Sequence, residues 1–297
     1  MGYACALGAG LIWGTTGPLS TLLYAQGAAI TGIGFWRLAM GIIGLIAYGL
    51  VRRDLFRVDG RGWLLVGVGG GALVALFEVA YQYAISGAGV AGAAALLYTA
   101  PVLVAILAVP LLGERLTPLR LLLALAVMVG AGLTVGGGST AGVSVATTRG
   151  AGVIGGALAA LSYAGTTLLA RYAAPRYGPA RVLFLEVLGG IVWLGVLLPL
   201  TGHAPLAPAT PSAWIFIAVL AAGTVLAANV LFFNAATRID AAPTAVAATI
   251  EPVVAATLAF ALFGQRLTTL GTVGLIAVVG GVAGGYLEEA RGLRSER

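Results

Sequence analysis

Lysine is absent, and all 16 basic residues are arginine. Without a lysine there is no phosphate-loop cation, no Schiff-base nucleophile and no pyridoxal attachment, so ATP hydrolysis and pyridoxal chemistry are excluded on this chain. Cysteine and histidine occur once each, as Cys5 and His203, which removes a disulfide framework, a Cys/His zinc site and a histidine-based triad. No cofactor and no metal are expected. Charged residues make up only 9% of the 297 positions, against about 25% in a soluble domain. With 60% hydrophobic residues and a mean hydropathy of +1.04, no aqueous fold can bury this chain, and its solvent must be lipid. The net charge of +6 is scattered over short loops between apolar runs. That pattern fits orientation in a bilayer and not a nucleic-acid face; the arginine bias itself fits a GC-rich genome.

What is present is a duplication. Residues 101–117, PVLVAILAVPLLGERLT, return as 252–268, PVVAATLAFALFGQRLT, with about ten of the seventeen positions identical. The same shift aligns Gly14-Thr15-Thr16 with Gly165-Thr166-Thr167, and Glu78-x-x-Tyr81 with Asn229-x-x-Phe232. The period is too long for a solenoid array, and two homologous halves in an apolar chain point to a transporter.

A helix needs about 20 apolar residues to cross the hydrocarbon layer. Marking such runs gives ten: 3–23, 31–50, 62–85, 90–112, 119–135, 150–170, 179–200, 212–236, 243–263 and 269–287. The fold class expected is therefore an all-α polytopic membrane protein, with ten transmembrane helices in two five-helix repeats. The first repeat covers 1–137, a Gly/Ser/Thr-rich linker 138–149, and the second repeat with a short tail 150–297. The N-terminus has no basic n-region, and its apolar run continues past Thr16, so it is expected to be a span and not a cleaved signal.

Five spans per half invert the second repeat. With the N-terminus inside, inner loops and tail carry Arg52, Arg53, Arg57, Arg61, Arg115, Arg120, Arg171, Arg176, Arg181, Arg238, Arg291, Arg294 and Arg297, whereas outer loops carry only Arg149 and Arg266. Both termini are expected on the cytoplasmic side of a bacterial inner membrane. Gly10/Gly14, Gly152/Gly156, Gly280/Gly284 and Gly281/Gly285 form GxxxG pairs suited to close helix packing. The run Gly67-x-Gly69-Gly70-Gly71 lies inside a span, which rejects a dinucleotide loop.

A charge near the bilayer centre costs about 2.5–3.5 kcal/mol on insertion scales, so Arg37, Glu78, Glu186 and Glu251 each require an explanation. Depth counting puts Arg37 and Glu78 in the outer third, where they can pair. Glu186 lies in the inner third, with Arg181 or Asn229 as partner and a structural role. Glu251, directly before Pro252, could take up a proton or grip an ammonium group; the structural alternative is a carboxyl that holds a kinked helix through Thr244 or Thr249. Glu251, Glu78 and Arg37 are the candidates for charge coupling.

Glu78, Tyr81 and Gln82 share one helical face, as do Asn229, Phe232 and Phe233. Trp13, Thr15, Thr16, Tyr98, Tyr163, Thr166 and Thr249 add mid-span rings and hydroxyls, with Gly17-Pro18 expected to interrupt the first span. Interhelical packing without ligand contact is the alternative for each. Trp63 and Trp214, near span ends, fit an interfacial belt. As a set these side chains describe a cavity of neutral hydrogen-bonding groups and π-faces with few cations, unsuited to a phosphate.

The aromatic-Gly-Thr-Thr near the start (Trp13 to Thr16), the Pro-Val run closing in Gly113-Glu114-Arg115-Leu116-Thr117 and the Gly-rich fifth span resemble the EamA-type branch of the drug/metabolite transporter superfamily. The resemblance implies two inverted five-helix repeats, a central cavity lined by the first four helices of each, and the fifth and tenth helices outside. Within that branch the chain resembles bacterial exporters of aromatic and hydrophobic amino acids. Gln265 departs from the motif, standing where Glu114 stands in the first repeat.

The expectation is a secondary-type exporter of small neutral or zwitterionic metabolites, amino acids foremost, with a small molecule and the lipid bilayer as its partners. The oligomeric state stays open, a monomer being sufficient. A drug or other metabolite permease of the same fold is one alternative. A membrane-embedded enzyme lacks a mid-span histidine, an HExxH motif or paired aspartates; a structural subunit leaves the mid-depth charges without a purpose.

Overall fold

The computed structural model describes residues 1–51, 53–136, 149–263 and 267–295. Its elements are all helical, with no strand among the described residues. The helices are α1 (Gly2–Trp13), α2 (Thr16–Ala25), α3 (Ile30–Val51), α4 (Gly60–Gly62), α5 (Gly71–Leu97), α6 (Ala100–Leu112), α7 (Pro118–Gly136), α8 (Arg149–Tyr177), α9 (Pro179–Leu200), α10 (Pro211–Leu220), α11 (Ala228–Ala236), α12 (Ala241–Ala248), α13 (Glu251–Phe263) and α14 (Thr269–Ser295). Two π-helical stretches, Trp63–Gly70 and Ala221–Ala227, join α4 to α5 and α10 to α11. Seven described helical segments are long and apolar enough to cross a membrane, and Ala100–Leu112 and Pro118–Leu133 are shorter apolar helices. Large side chains such as Leu50, Leu64, Ile43 and Ile276 face outward, as lipid requires. The chain is a multi-pass membrane protein of two inverted five-helix repeats.

Helix α5 is continuous where the sequence divides the third span from the fourth, yet the chain reverses inside it. The rings of Phe77 and Tyr163 are 6.5 Å apart, and Tyr98, one residue past the end of α5, lines a cavity with that same Tyr163. A straight helix rising about 1.5 Å per residue would hold Phe77 and Tyr98 about 30 Å apart. Two antiparallel spans are therefore folded into one helical stretch.

The first span is broken at Gly14-Thr15 and not at Gly17-Pro18. Pro18 has no N–H to donate to the carbonyl one turn earlier, so the ladder fails at Gly14 while Pro18 itself fits the first turn of α2. The repeat-mates of the break, Gly165-Thr166, sit within an unbroken α8. The last spans of the cavity-forming sets break in register, at Tyr98-Thr99 in the first repeat and at Thr249-Ile250 in the second.

Glycines let these elements touch. A Cβ on Gly10 would stand 2.2 Å from the Ala248 carbonyl oxygen, and one on Gly14 would stand 2.8 Å from that of Glu251, so α1 lies with its backbone against the α12–α13 break. α7 and α14, the fifth helices of the two repeats, pack along each other, with Gly281 and Gly284 against Val127 and Leu123. The linker 138–149 falls, all but Arg149, outside the described residues, as do Gln265 and Arg266.

Candidate functional site

Aromatic rings meet where α1, α5, α8 and α11 converge. The Trp13 ring is 5.2 Å from Phe232 and 6.1 Å from Tyr163; Tyr163 is 6.2 Å from Phe232 and 6.5 Å from Phe77, and Phe77 stacks on Tyr81 at 5.5 Å. These five rings come from both repeats. Edge-on and tilted pairs of this kind each add about 0.5–1.5 kcal/mol beyond their buried area.

The indole Nε1 of Trp13 donates to the Thr224 carbonyl at 3.0 Å, and that of Trp193 donates to the Val68 carbonyl at 3.1 Å. Both acceptors lie in π-helical stretches, where widened turns release carbonyls from the α-helical ladder.

Beside the rings lies a cavity of about 20 Å³ lined by Leu97, Tyr98, Pro101, Tyr163, Thr249 and Glu251 among others. It sits between the two helix breaks, and Tyr98 and Thr249 are repeat-mates. Tyr98 is 6% exposed. Tyr81, Tyr98 and Tyr163 all lie within electrostatic reach of the Glu251 carboxyl. Among the described residues no ion pair reaches Glu251, the ion pairs being confined to Arg37, Glu78, Glu114, Arg120, Arg171, Asp240 and Glu288. A carboxyl at the head of α13 is favoured there by the helix dipole.

Arg37 of α3 and Glu78 of α5 form an ion pair, with 15% and 6% of their side chains exposed. Arg37 Nε is buried without a hydrogen-bond partner among the described residues. A small hollow of about 10 Å³ adjoins Glu78, between α3, α5 and α9. Tyr81 lies within electrostatic reach of both Arg37 and Glu251, which connects this pair to the ring cluster.

Several candidates are occupied by their own helices. Thr15 donates to the Ile12 carbonyl at 2.7 Å, Thr166 to that of Tyr163 at 3.0 Å, and Thr249 to that of Ala245 at 2.8 Å. Asn229 donates to the Thr224 and Val225 carbonyls, both at 3.0 Å, pinning the π-helical stretch before it. Phe233, 2% exposed, belongs to the main core cluster. Thr16 opens α2. The side chain of Gln82 lies outside the described residues.

The partners expected for Glu186 are not made. Asn229 is engaged within its own helix, and Glu186, 3% exposed against Gly70, has an Oε1 with no hydrogen-bond partner among the described residues. For Glu251, the expected alternative anchors Thr244 and Thr249 instead donate to the Asp240 and Ala245 carbonyls.

A second cluster, absent from the sequence-based candidates, closes one end of the bundle. The Glu114 carboxylate accepts from the Ala241 N–H at 2.9 and 3.1 Å and from Arg171 Nε at 3.3 Å. Arg171 also donates to Asp240 and to the Ala236 carbonyl, both at 3.0 Å. Arg120 joins Asp240 at 2.8 Å to Glu288 at 3.2 Å. The network thus ties the α6–α7 loop, α7, α8, the start of α12 and α14. Burial pushes the Glu114 carboxyl above its ordinary value, helped by nearby Asp240 and opposed by the Ala241 N–H and Arg171. The signal was present in Glu114 of the repeated motif, but Asp240 and Arg171 looked like ordinary loop charges.

The profile of the EamA-like transporter family matches residues 1–136 and 150–286. The chain belongs to the EamA-like transporter family. Comparison with curated proteins gives no match. A solved structure described only as "Crystal structure of protein" superposes on this EamA-like chain with a TM-score of 0.79, covering 98% of each chain at 22% identity. At that identity the likeness shows the fold alone. Membership assigns this EamA-like protein to transport across a membrane.

Proposed function

We propose that this EamA-like transporter exports small neutral or zwitterionic metabolites, foremost amino acids with aromatic or hydrophobic side chains, by alternating access across a bacterial inner membrane. The observation that carries this reading is the ring cluster Trp13, Phe77, Tyr81, Tyr163 and Phe232 beside the Glu251 cavity, drawn from both repeats. Its polar groups are phenols, a threonine and one carboxyl. A phosphate would call for several cations, and the mid-depth Arg37 is already paired with Glu78. Binding between inverted repeats allows one half to rock against the other. The arginine-rich loops favour both termini on the cytoplasmic face. A single chain contains the whole site, so a monomer suffices.

Purified protein in liposomes is expected to move labelled phenylalanine down its gradient above protein-free vesicles. An absence of flux across the full amino-acid panel would remove the cargo assignment. Proton coupling is a second reading, supported by Glu251 being a carboxyl without an ion-pair partner among the described residues. It expects flux to follow a pH gradient in the wild type and to ignore it in Glu251→Gln; flux indifferent to the gradient in both selects facilitated diffusion.

A further inference from the structure

The two repeats present the same broken helix to the cavity with different charge. α6 and α13 are both 13 residues long, and both begin at the cavity wall, at Ala100 and Glu251. These two residues are repeat-mates. Glu251 places a carboxyl in the first turn of α13 and offsets the positive end of that helix. α6 has no such group: Ala100 is 1% exposed, and the Thr99 hydroxyl turns back to the Leu96 carbonyl at 2.7 Å, so no side chain caps the helix. Tyr98, more than nine-tenths buried, lines the same cavity, and its hydroxyl makes no hydrogen bond among the described residues. One wall therefore carries a carboxyl among three tyrosines, which suits an ammonium group through charge and π-faces. The other is a helix start without a side-chain cap, where Pro101 has no N–H and the Val102 and Leu103 N–H groups turn to the Thr99 carbonyl, so the Ala100 N–H and the Tyr98 hydroxyl are the donors left for a carboxylate.

We infer that the asymmetry between Ala100 and Glu251 makes this cavity a zwitterion site with fixed polarity. The cargo's ammonium group lies on Glu251 among Tyr81, Tyr98 and Tyr163; its carboxylate faces the start of α6 with the Tyr98 hydroxyl; its apolar side chain points to Trp13 and Phe232. This inference rests on the transport reading above and names the chemistry at its site. A cavity of about 20 Å³ holds only a water-sized group or two, so a whole amino acid enters when the helices part.

The test uses the full-length protein in liposomes with three labelled probes that share one phenyl side chain: phenylalanine, phenethylamine without the carboxylate, and 3-phenylpropionate without the ammonium. Phenylalanine flux is expected to exceed each analogue at least tenfold. Glu251→Gln should lower phenylalanine flux at least tenfold and leave 3-phenylpropionate flux at or above wild type. Ala100→Glu, which charges the bare helix end, should lower phenylalanine flux and spare phenethylamine. Wild-type flux of phenethylamine or 3-phenylpropionate equal to that of phenylalanine overturns the proposed polarity, as does a Glu251→Gln protein that carries phenylalanine at the wild-type rate. The wild-type comparison decides the matter even where Ala100→Glu does not fold. Absence of flux for every amino acid instead strikes the transport reading, and the inference falls with it.

Discussion

Glu78 is the residue whose loss the fold should feel most. Its side chain is 6% exposed and paired with Arg37, whose Nε already lacks a partner among the described residues. Removing one partner of a buried pair leaves an uncompensated charge and costs about 3–5 kcal/mol. Glu78→Gln is expected to lower the melting temperature in detergent markedly, while the double variant Arg37→Met/Glu78→Leu recovers much of the loss. A second expectation concerns Glu114, whose folded carboxyl titrates above its ordinary value of 4.5. The folded state then holds this proton more tightly than the unfolded chain, so the contribution to stability is full below that value and lost as pH rises through the folded one. Glu114→Gln cannot titrate; its melting temperature relative to wild type should rise across that window, and a pH-independent difference would refute the shift. The Arg37–Glu78 pair was legible because an isolated charge in a span must find its opposite at the same depth. The Thr15, Thr166 and Thr249 hydroxyls each donate to a carbonyl three or four residues earlier, a bond that composition and hydropathy do not reveal.

At the scale of elements, the approach of α1 to the α12–α13 break depends on an absent side chain. Gly10→Ala would put a methyl 2.2 Å from the Ala248 carbonyl oxygen, and overpacking of this kind costs about 1–3 kcal/mol or more. Gly280→Ala meets nothing within 4 Å and should be neutral or slightly stabilising through helix propensity. Thermal unfolding of the two variants side by side checks this; equal melting temperatures would refute the close contact. Hydropathy located the spans because lipid imposes length and polarity together. It could not locate the breaks: Pro18 displaces its own break by a turn, and the pauses at Tyr98-Thr99 and Thr249-Ile250 follow from tertiary packing in runs that remain apolar. The reversal inside α5 was foreseen as a gap between two spans, although local backbone geometry stays helical there.

At the scale of the molecule, inversion makes a topological demand. In a Cys5→Ala background, single cysteines at Arg115 and Arg266 should react with an impermeant maleimide from opposite faces of the bilayer, and labelling of both from one face would refute the inverted arrangement. The duplication was legible because the motif at 101–117 kept its sequence. The bonds joining Glu114, Arg171, Asp240, Arg120 and Glu288 were not, because pairing between distant loops leaves no periodic trace. In sequence the repeat carries Gln265 where Glu114 stands, so the carboxylate of this latch is not repeated. Under the alternating access proposed above, a latch that closes one end of the bundle gives the two shapes unequal resting energy, so tracer exchange begun from either compartment should saturate at different concentrations. The final distribution of an uncoupled solute would still be level, because a latch sets waiting times and not destinations.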